Sequence, residues 1–245
     1  MHMTGNTILI TGGGTGIGLA FAKRFVARGN QVIICGRRAE QLAAAKSETQ
    51  ALETIQCDVS TEQNRIALAD EVVAKFPALN VLMNNAGVGN RHAPVPQPQE
   101  WSKHRQEIAI NLEAPMHLSF LLSPHLAKSA SGGIINVSSG LGMVPMAVAA
   151  TYCLTKAAMH SFSLTLRQQL KATSLDVIEI IPPSVNSGAP GTQHGVDLDA
   201  FAASMFERME KGETEIGYGT SEERRLASRA DLDAYFEQLN APRKA

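Results

Sequence analysis

The sequence predicts an α/β fold, a single domain built on a doubly wound parallel sheet flanked by helices. Three observations carry that prediction. Short β-branched runs alternate with longer amphipathic ones along most of the 245 residues, the pattern of strands joined by helical crossovers. A glycine-rich stretch, TGGGTGIG, follows the first of these runs directly. No internal repeat, low-complexity tract or linker interrupts the order.

The elements follow from the residues in turn. TILIT (7–11) is a short β-branched run, a strand by composition. It enters TGGGTGIGLAFAKRFVARGN (11–30), a sharp turn into an amphipathic helix that Gly29 terminates. QVIIC (31–35) is the second strand and RRAEQLAAAKSE (37–48) the next helix. ETIQCDV (53–59) is the third strand, with TEQNRIALADEVVAKF (61–76) as the helix after it. VLMNNA (81–86), GIINVSS (133–139) and DVIEII (176–181) supply three more strands. The Pro-rich HAPVPQPQE (92–100) reads as an ordered surface loop, and ATYCLTKAAMH (150–160) as an apolar helix. Residues 188–210 open with glycine and proline and continue as a short amphipathic helix carrying Phe201, Met205 and Phe206.

Composition narrows the function classes. Hydrophobic residues at 44% and charged residues at 18% describe a globular chain able to bury a large core. A net charge of −1 with no basic run argues against a nucleic-acid partner. No stretch reaches the roughly 18 consecutive apolar residues of a membrane span, and the first ten residues lack the pattern of a cleaved leader, so the expected location is the cytoplasm. Cys35, Cys57 and Cys153 lack metal-ligand spacing and are expected to be reduced, mostly buried thiols. The seven histidines form no metal-binding motif, and no metal is expected.

Two local patterns point to chemistry. Gly12, Gly16 and Gly18 stand where a strand turns into a helix, which lets the backbone approach a pyrophosphate and places that anion at the positive helix end. Tyr152 and Lys156 lie four residues apart, on one helix face. A free tyrosine titrates near 10, and a cation held beside it favours the phenolate, so the pair is expected to lower the phenol's pKa.

Together these residues resemble the short-chain dehydrogenase/reductase family. The carriers are Thr11-Gly12-x-x-x-Gly16-Ile17-Gly18, NNAG at 84–87, Asn111 in IAINLEAP, Ser139 thirteen residues before Tyr152, Lys156, and PPSVNS at 182–187. In that last segment Pro183 and Ser187 replace the family's glycine and threonine. The resemblance spans about residues 5 to 240 and implies one Rossmann-type domain. Segments 4–18, 80–87 and 215–240 look like the branch labelled after D-alanine esterification of teichoic acid, a label that fixes no substrate.

The resemblance implies a hydride-transferring oxidoreductase. Tyr152 would exchange a proton with the substrate oxygen, Lys156 would lower the phenol's pKa and hold the nicotinamide ribose, and Ser139 would hydrogen-bond the substrate oxygen. Asn111 would anchor a water leading to Lys156. Cofactor contacts are expected from Gly12, Thr15, Gly16, Ile17, Gly18, Asn85, Ala86, Gly87, Tyr152, Lys156, Pro182 and Val185. Asp58 would meet the adenine amino group, with Val59 beside the ring. Ser139, Leu141, Met143, Met146 and Tyr152 are the expected substrate wall, and residues about 186–212 resemble the family's lid. The pocket is expected to be largely apolar, with no arginine placed to clamp an acid.

Cofactor choice is read from VIICGRR (32–38). Gly36 stands where an NAD-dependent fold usually has a carboxylate, while Arg37 and Arg38 offer cations to a 2′-phosphate. NADP(H) is therefore favoured and NAD(H) remains the alternative, since Thr15 replaces a second basic residue common in NADP-preferring relatives. A non-catalytic dinucleotide-binding regulator is the rival reading; the presence of serine, tyrosine and lysine together argues against it. An isomerase or dehydratase would be expected to carry a larger C-terminal domain than the about 60 residues after PPSVNS. Family resemblance implies a homodimer or homotetramer, and the expected partner is a small to medium, largely uncharged carbonyl compound or alcohol.

Overall fold

The computed structural model describes residues 1–188 and 191–241. Its strands are β1 (Thr7–Thr11), β2 (Gln31–Gly36), β3 (Leu52–Gln56), β4 (Leu79–Asn84), β5 (Gly132–Val137), β6 (Leu175–Ile181) and β7 (Glu215–Gly217). All pair in parallel, in the order β3-β2-β1-β4-β5-β6-β7. The six expected strands are present. Sequence reading missed β7, whose three residues are too few to show a period; it exists because Glu179–Ile181 of β6 offers it a pairing edge.

The helices divide between the faces by the two-residue period of the strands. Ile8, Ile10, Val32, Ile34, Val81 and Met83 point to one face, where they meet α1 (Gly16–Ala27), α2 (Ala39–Glu48) and α7 (Leu198–Glu210). Leu9, Ile33, Leu82 and Ile134 point to the other, against α3 (Glu62–Lys75), α5 (Ala114–Leu126) and α6 (Ala150–Gln169). Covering both faces explains why β1, β4 and β5 are buried along their whole length.

Two features aim the later residues. α4 (Trp101–Ile108) runs through a π-helical turn, Ala109–Glu113, into α5; this wider turn carries Asn111. After β7, the short α8 (Thr220–Leu226) folds back onto the 3₁₀ turn Gly140–Gly142 that follows β5, and α9 (Arg229–Asn240) reaches Pro145 and Ala147 through Asn240. α9 starts on a capping box between Ser228 and Asp231.

α7, which falls within the expected lid, is packed into the core. Phe201, Met205 and Phe206 are buried among Phe21 and Phe25 of α1, with Phe206 at 4.7 Å from the Phe25 ring and 5.2 Å from that of Phe21. The amphipathic pattern was legible, but its apolar face belongs to the core. Residues 189–190 of the expected lid lie outside the described residues. The ends of the loop are pinched by a bridge between Val185 and Val196, with Asn186 N donating to Val196 O at 2.9 Å.

Phe206→Ala should cost about 3–5 kcal/mol, as for other large core rings. Urea unfolding measures it, and a loss below about 1 kcal/mol would place Phe206 outside the core that α1 and α7 share.

Candidate active site

The carboxyl ends of the strands lie along one edge of the sheet, and the crossover order reverses between β1 and β4, the place where ligands bind in such sheets. A cavity of about 560 Å³ opens there, lined by Gly12, Thr15, Gly16, Ile17, Gly36, Arg37, Arg38, Asp58, Val59, Asn85, Ala86 and Gly87. Gly12 has φ +64°, and a Cβ on Gly18 would stand 2.5 Å from the Gly12 carbonyl oxygen. Both positions therefore require glycine. Gly18 lies beneath the turn and packs it, and does not line the cavity. The fit to a dinucleotide is good: an open backbone turn leads a helix, and two arginines without side-chain partners among the described residues stand at the far end.

A second cavity, about 540 Å³, meets the first along Ile17, Asn85, Gly87, Val88 and Ser187. Ser139, Leu141, Met146, Tyr152, Lys156, Pro182 and Val185 line it. Met143 does not: it follows the 3₁₀ turn, whose Gly142 packs so tightly on the α6 backbone that a Cβ there would come 2.7 Å from the Lys156 carbonyl carbon. Sequence reading placed one methionine too many on this wall.

Asn111 is buried and lines neither cavity. Its Oδ1 accepts from Val88 N at 2.9 Å and its Nδ2 donates to Val88 O at 2.8 Å and to Thr155 Oγ1 at 3.3 Å. The amide thus pairs with Val88 as a strand backbone would, and it ties the loop after β4 to α6. Ser139 Oγ accepts from Leu141 N at 3.2 Å, which turns the hydroxyl towards the start of the 3₁₀ turn.

The Tyr152–Lys156 pair differs from expectation in one respect. Lys156 Nζ donates to Val137 O at 2.8 Å and lies 5.7 Å from the Tyr152 ring centroid. Burial pushes the Tyr152 phenol above its ordinary value, opposed by the Ser139 hydroxyl. The expected lowering by Lys156 is absent from this geometry because desolvation dominates and the ammonium is directed at a carbonyl. Burial also lowers Lys156 to about 8, against the field of Glu179, which raises it.

Glu179 is a residue that the motif reading passed over. It is fully buried on β6, where it accepts from Ser138 Oγ at 2.5 Å and pairs with His160 Nδ1 at 2.8 Å. A carboxylate inside the β-branched run DVIEII was the available signal, together with His160 one helical turn beyond Lys156 on the same face. His160, Glu179 and Glu215 bring ligand-type atoms within 4.8 Å of one another. Arg167 and Arg225 face Glu215 at 3.8 and 3.7 Å, so the group is built as an ion-pair network. The three cysteines are free and buried; burial pushes the Cys57 thiol up to about 11.

The short chain dehydrogenase family model matches residues 6–194. This chain belongs to that family. Its members are oxidoreductases that bind NAD(P)(H). The chain is 44% identical to an uncharacterized oxidoreductase, DltE, of Bacillus subtilis, over 98% of each chain. It is 36% identical to the NADP-dependent 3-hydroxy acid dehydrogenase YdfG of Salmonella typhi, over 71% of each. The fold also matches a 3-ketoacyl-(acyl-carrier-protein) reductase from Brucella melitensis complexed with NADH, with a TM-score of 0.80, 22% identity, and 90% of this chain and 100% of the other covered.

The Glu179 hydrogen bond raises the His160 pKa above its ordinary value. A raised folded pKa means that the charged pair stabilises fully below the unfolded value near 6.5 and that this contribution is lost as pH rises through the folded value. The stability gap between the parent and His160→Asn should therefore shrink from pH 6 to pH 9 in urea unfolding. A gap that widens over that range would reverse the assigned sign.

Proposed function

We propose that this chain is an NADP(H)-dependent oxidoreductase that interconverts a ketone or aldehyde and an alcohol, with Tyr152 as general acid and base. The observation that carries this reading is the convergence of Ser139, Tyr152 and Lys156 on one cavity that adjoins the glycine turn. When bound, the nicotinamide supplies or accepts the hydride.

The chain's own residues do the rest. Tyr152 gives a proton to the substrate oxygen in reduction and takes it in oxidation. Ser139 hydrogen-bonds that oxygen where negative charge develops. Lys156, already lowered to about 8 by burial, would exchange its Val137 carbonyl for the ribose hydroxyls and favour the phenolate from there. Asn111 fixes the π-helical turn and the Val88 loop beside them, with a water towards Lys156 as its proposed further role. Asp58, whose Oδ1 caps Ser60 N at 3.0 Å, and Val59, whose carbonyl accepts from buried Arg65 at 3.0 Å, form the adenine end. The Val185–Val196 bridge closes the base of the expected lid, so the proposed role of the described residues 186–188 and 191–195 is to border the substrate cavity without belonging to the core.

Arg37 supports NADP(H), since it is exposed beside Gly36 with no side-chain partner among the described residues. Thr15 supplies no second cation, so the preference is moderate. No helix among the described residues is long and apolar enough to cross a membrane. A cytoplasmic location suits three free cysteines. Exposed Phe120, Leu154 and Leu164 on neighbouring α5 and α6 support a homodimer or homotetramer.

Tyr152→Phe removes only the proton-transferring hydroxyl, so turnover should fall by about 10²–10⁴-fold with NADPH still bound; stopped assays plus cofactor fluorescence read both. Near-parent turnover would take Tyr152 out of the mechanism. Replacing Gly36 by Asp and Arg37 by Ser together should move the kcat/KM ratio towards NADH, and a parent that already prefers NADH would overturn the role given to Arg37.

A further inference from the structure

The second cavity contains a cation that the motifs did not announce. Arg224, on α8, lines it together with Ser139 and Tyr152. α8 is brought there by close packing: a Cβ on Gly140 would stand 2.3 Å from Ser221 Oγ, and Gly217 N donates to Glu222 Oε2 at 2.9 Å. The sequence expectation of a pocket with no arginine fails because residues about 80 positions after Ser139 fold back onto its turn.

The neighbouring arginines are all engaged. Arg208 bonds Glu213, Glu222 and the Gly217 carbonyl. Arg225 forks onto Glu222 at 2.8 and 2.7 Å, and Arg167 bonds the Val177 and Thr214 carbonyls. Half-buried Arg224 makes no side-chain hydrogen bond or ion pair among the described residues, although acidic Glu223 adjoins it in the chain. One turn earlier, fully buried Ser221 also has a hydroxyl without a partner. A guanidinium withdrawn from water without an anion is unfavourable, and burial indeed lowers its pKa.

We infer that Arg224 receives a carboxylate of the substrate, so that the compound turned over is an oxo acid or its hydroxy acid. The inference rests on the proposed carbonyl chemistry and adds the substrate class. A planar guanidinium matches a carboxylate with two parallel hydrogen bonds. Arg224 lines the substrate cavity and not the one with the glycine turn, so its anion is separate from the cofactor's phosphates. Leu141, Met146 and Leu239, which line the same cavity, suit the carbon chain between the carboxylate and the reacting carbon.

The test compares 2-, 3- and 4-oxo acids of four to eight carbons with their primary amides, using NADPH and NADH in parallel. The parent should favour at least one acid over its amide. Arg224→Gln should lower the acid-to-amide ratio of kcat/KM by about 10- to 100-fold, mainly through KM, as for loss of a charged hydrogen bond. Arg224→Lys should restore part of the ratio, and Arg225→Gln, which alters a neighbour outside the cavity, should leave it in place. A parent that turns over amides as well as acids, or a ratio unmoved in Arg224→Gln, overturns the role of Arg224 and leaves the carbonyl chemistry standing. If no compound is turned over with either cofactor, turnover of this class of oxo acid falls. Calorimetric titration of the same acids into NADPH-loaded protein then decides Arg224 separately: acid binding that Arg224→Gln abolishes supports it, and equal binding of acid and amide refutes it.

Discussion

The Thr11 hydroxyl closes the gap between β1 and β4, where the crossover order of the sheet reverses, and the geometry of the site follows from it. Thr11 Oγ1 accepts from Asn85 N at 3.1 Å and from Ala86 N at 3.0 Å, while Asn85 Nδ2 donates to Thr11 O at 2.9 Å. β1 and β4 are thereby tied where a Rossmann-type sheet would otherwise splay, since the two strands send their chains to opposite faces. The glycine turn and the loop after β4 then face each other across a fixed width. That width is what a dinucleotide must fill, and it sets how closely the Val88 loop can approach α6.

From that fixed edge α6, which carries Tyr152 and Lys156, is positioned by polar contacts of unequal kinds. Asn111 acts as a surrogate piece of backbone, pairing with both the N–H and the C=O of Val88. The π-helical turn makes this reach feasible, since an extra residue per turn swings a side chain out of the register of α4 and α5. On the other side, Lys156 rests on the last carbonyl of β5 and feels Glu179 from β6. A spacing of four along α6 puts tyrosine and lysine on one face, but the direction of the ammonium is decided by strands far away in sequence.

This division explains what could be read in advance. Alternating strands and helices, the glycine turn and the Ser139–Tyr152–Lys156 spacing are local patterns, and each stands where a short period or a fixed offset shows it. β7 was too short for any period. Phe201 and Phe206 showed an apolar stripe without showing that α1 would cover it. Met143 and Met146 stand three residues apart in one stretch, and only the packing of Gly142 against α6 separates their fates. The raised phenol of Tyr152 came from burial, which is a property of the whole fold. Arg224 was invisible for the same reason: it lines the cavity only because α8 meets the turn after β5.

The opposite edge of the sheet is held by a different device. Asn6, Asn30 and Asn80 knit the amino ends of β1, β2 and β4 through their amides: Asn6 N donates to Asn30 Oδ1 at 2.9 Å, Thr7 N to Asn80 Oδ1 at 2.9 Å, and Asn80 Nδ2 to Asn6 Oδ1 at 2.9 Å. None of these residues lines either cavity. The chain therefore separates what keeps it folded from what determines its chemistry, along the length of each strand. New substrate preferences can arise at one rim by drift in a few loops, while the amide lattice at the other rim stays intact, and variation at either end is screened by selection on a different property.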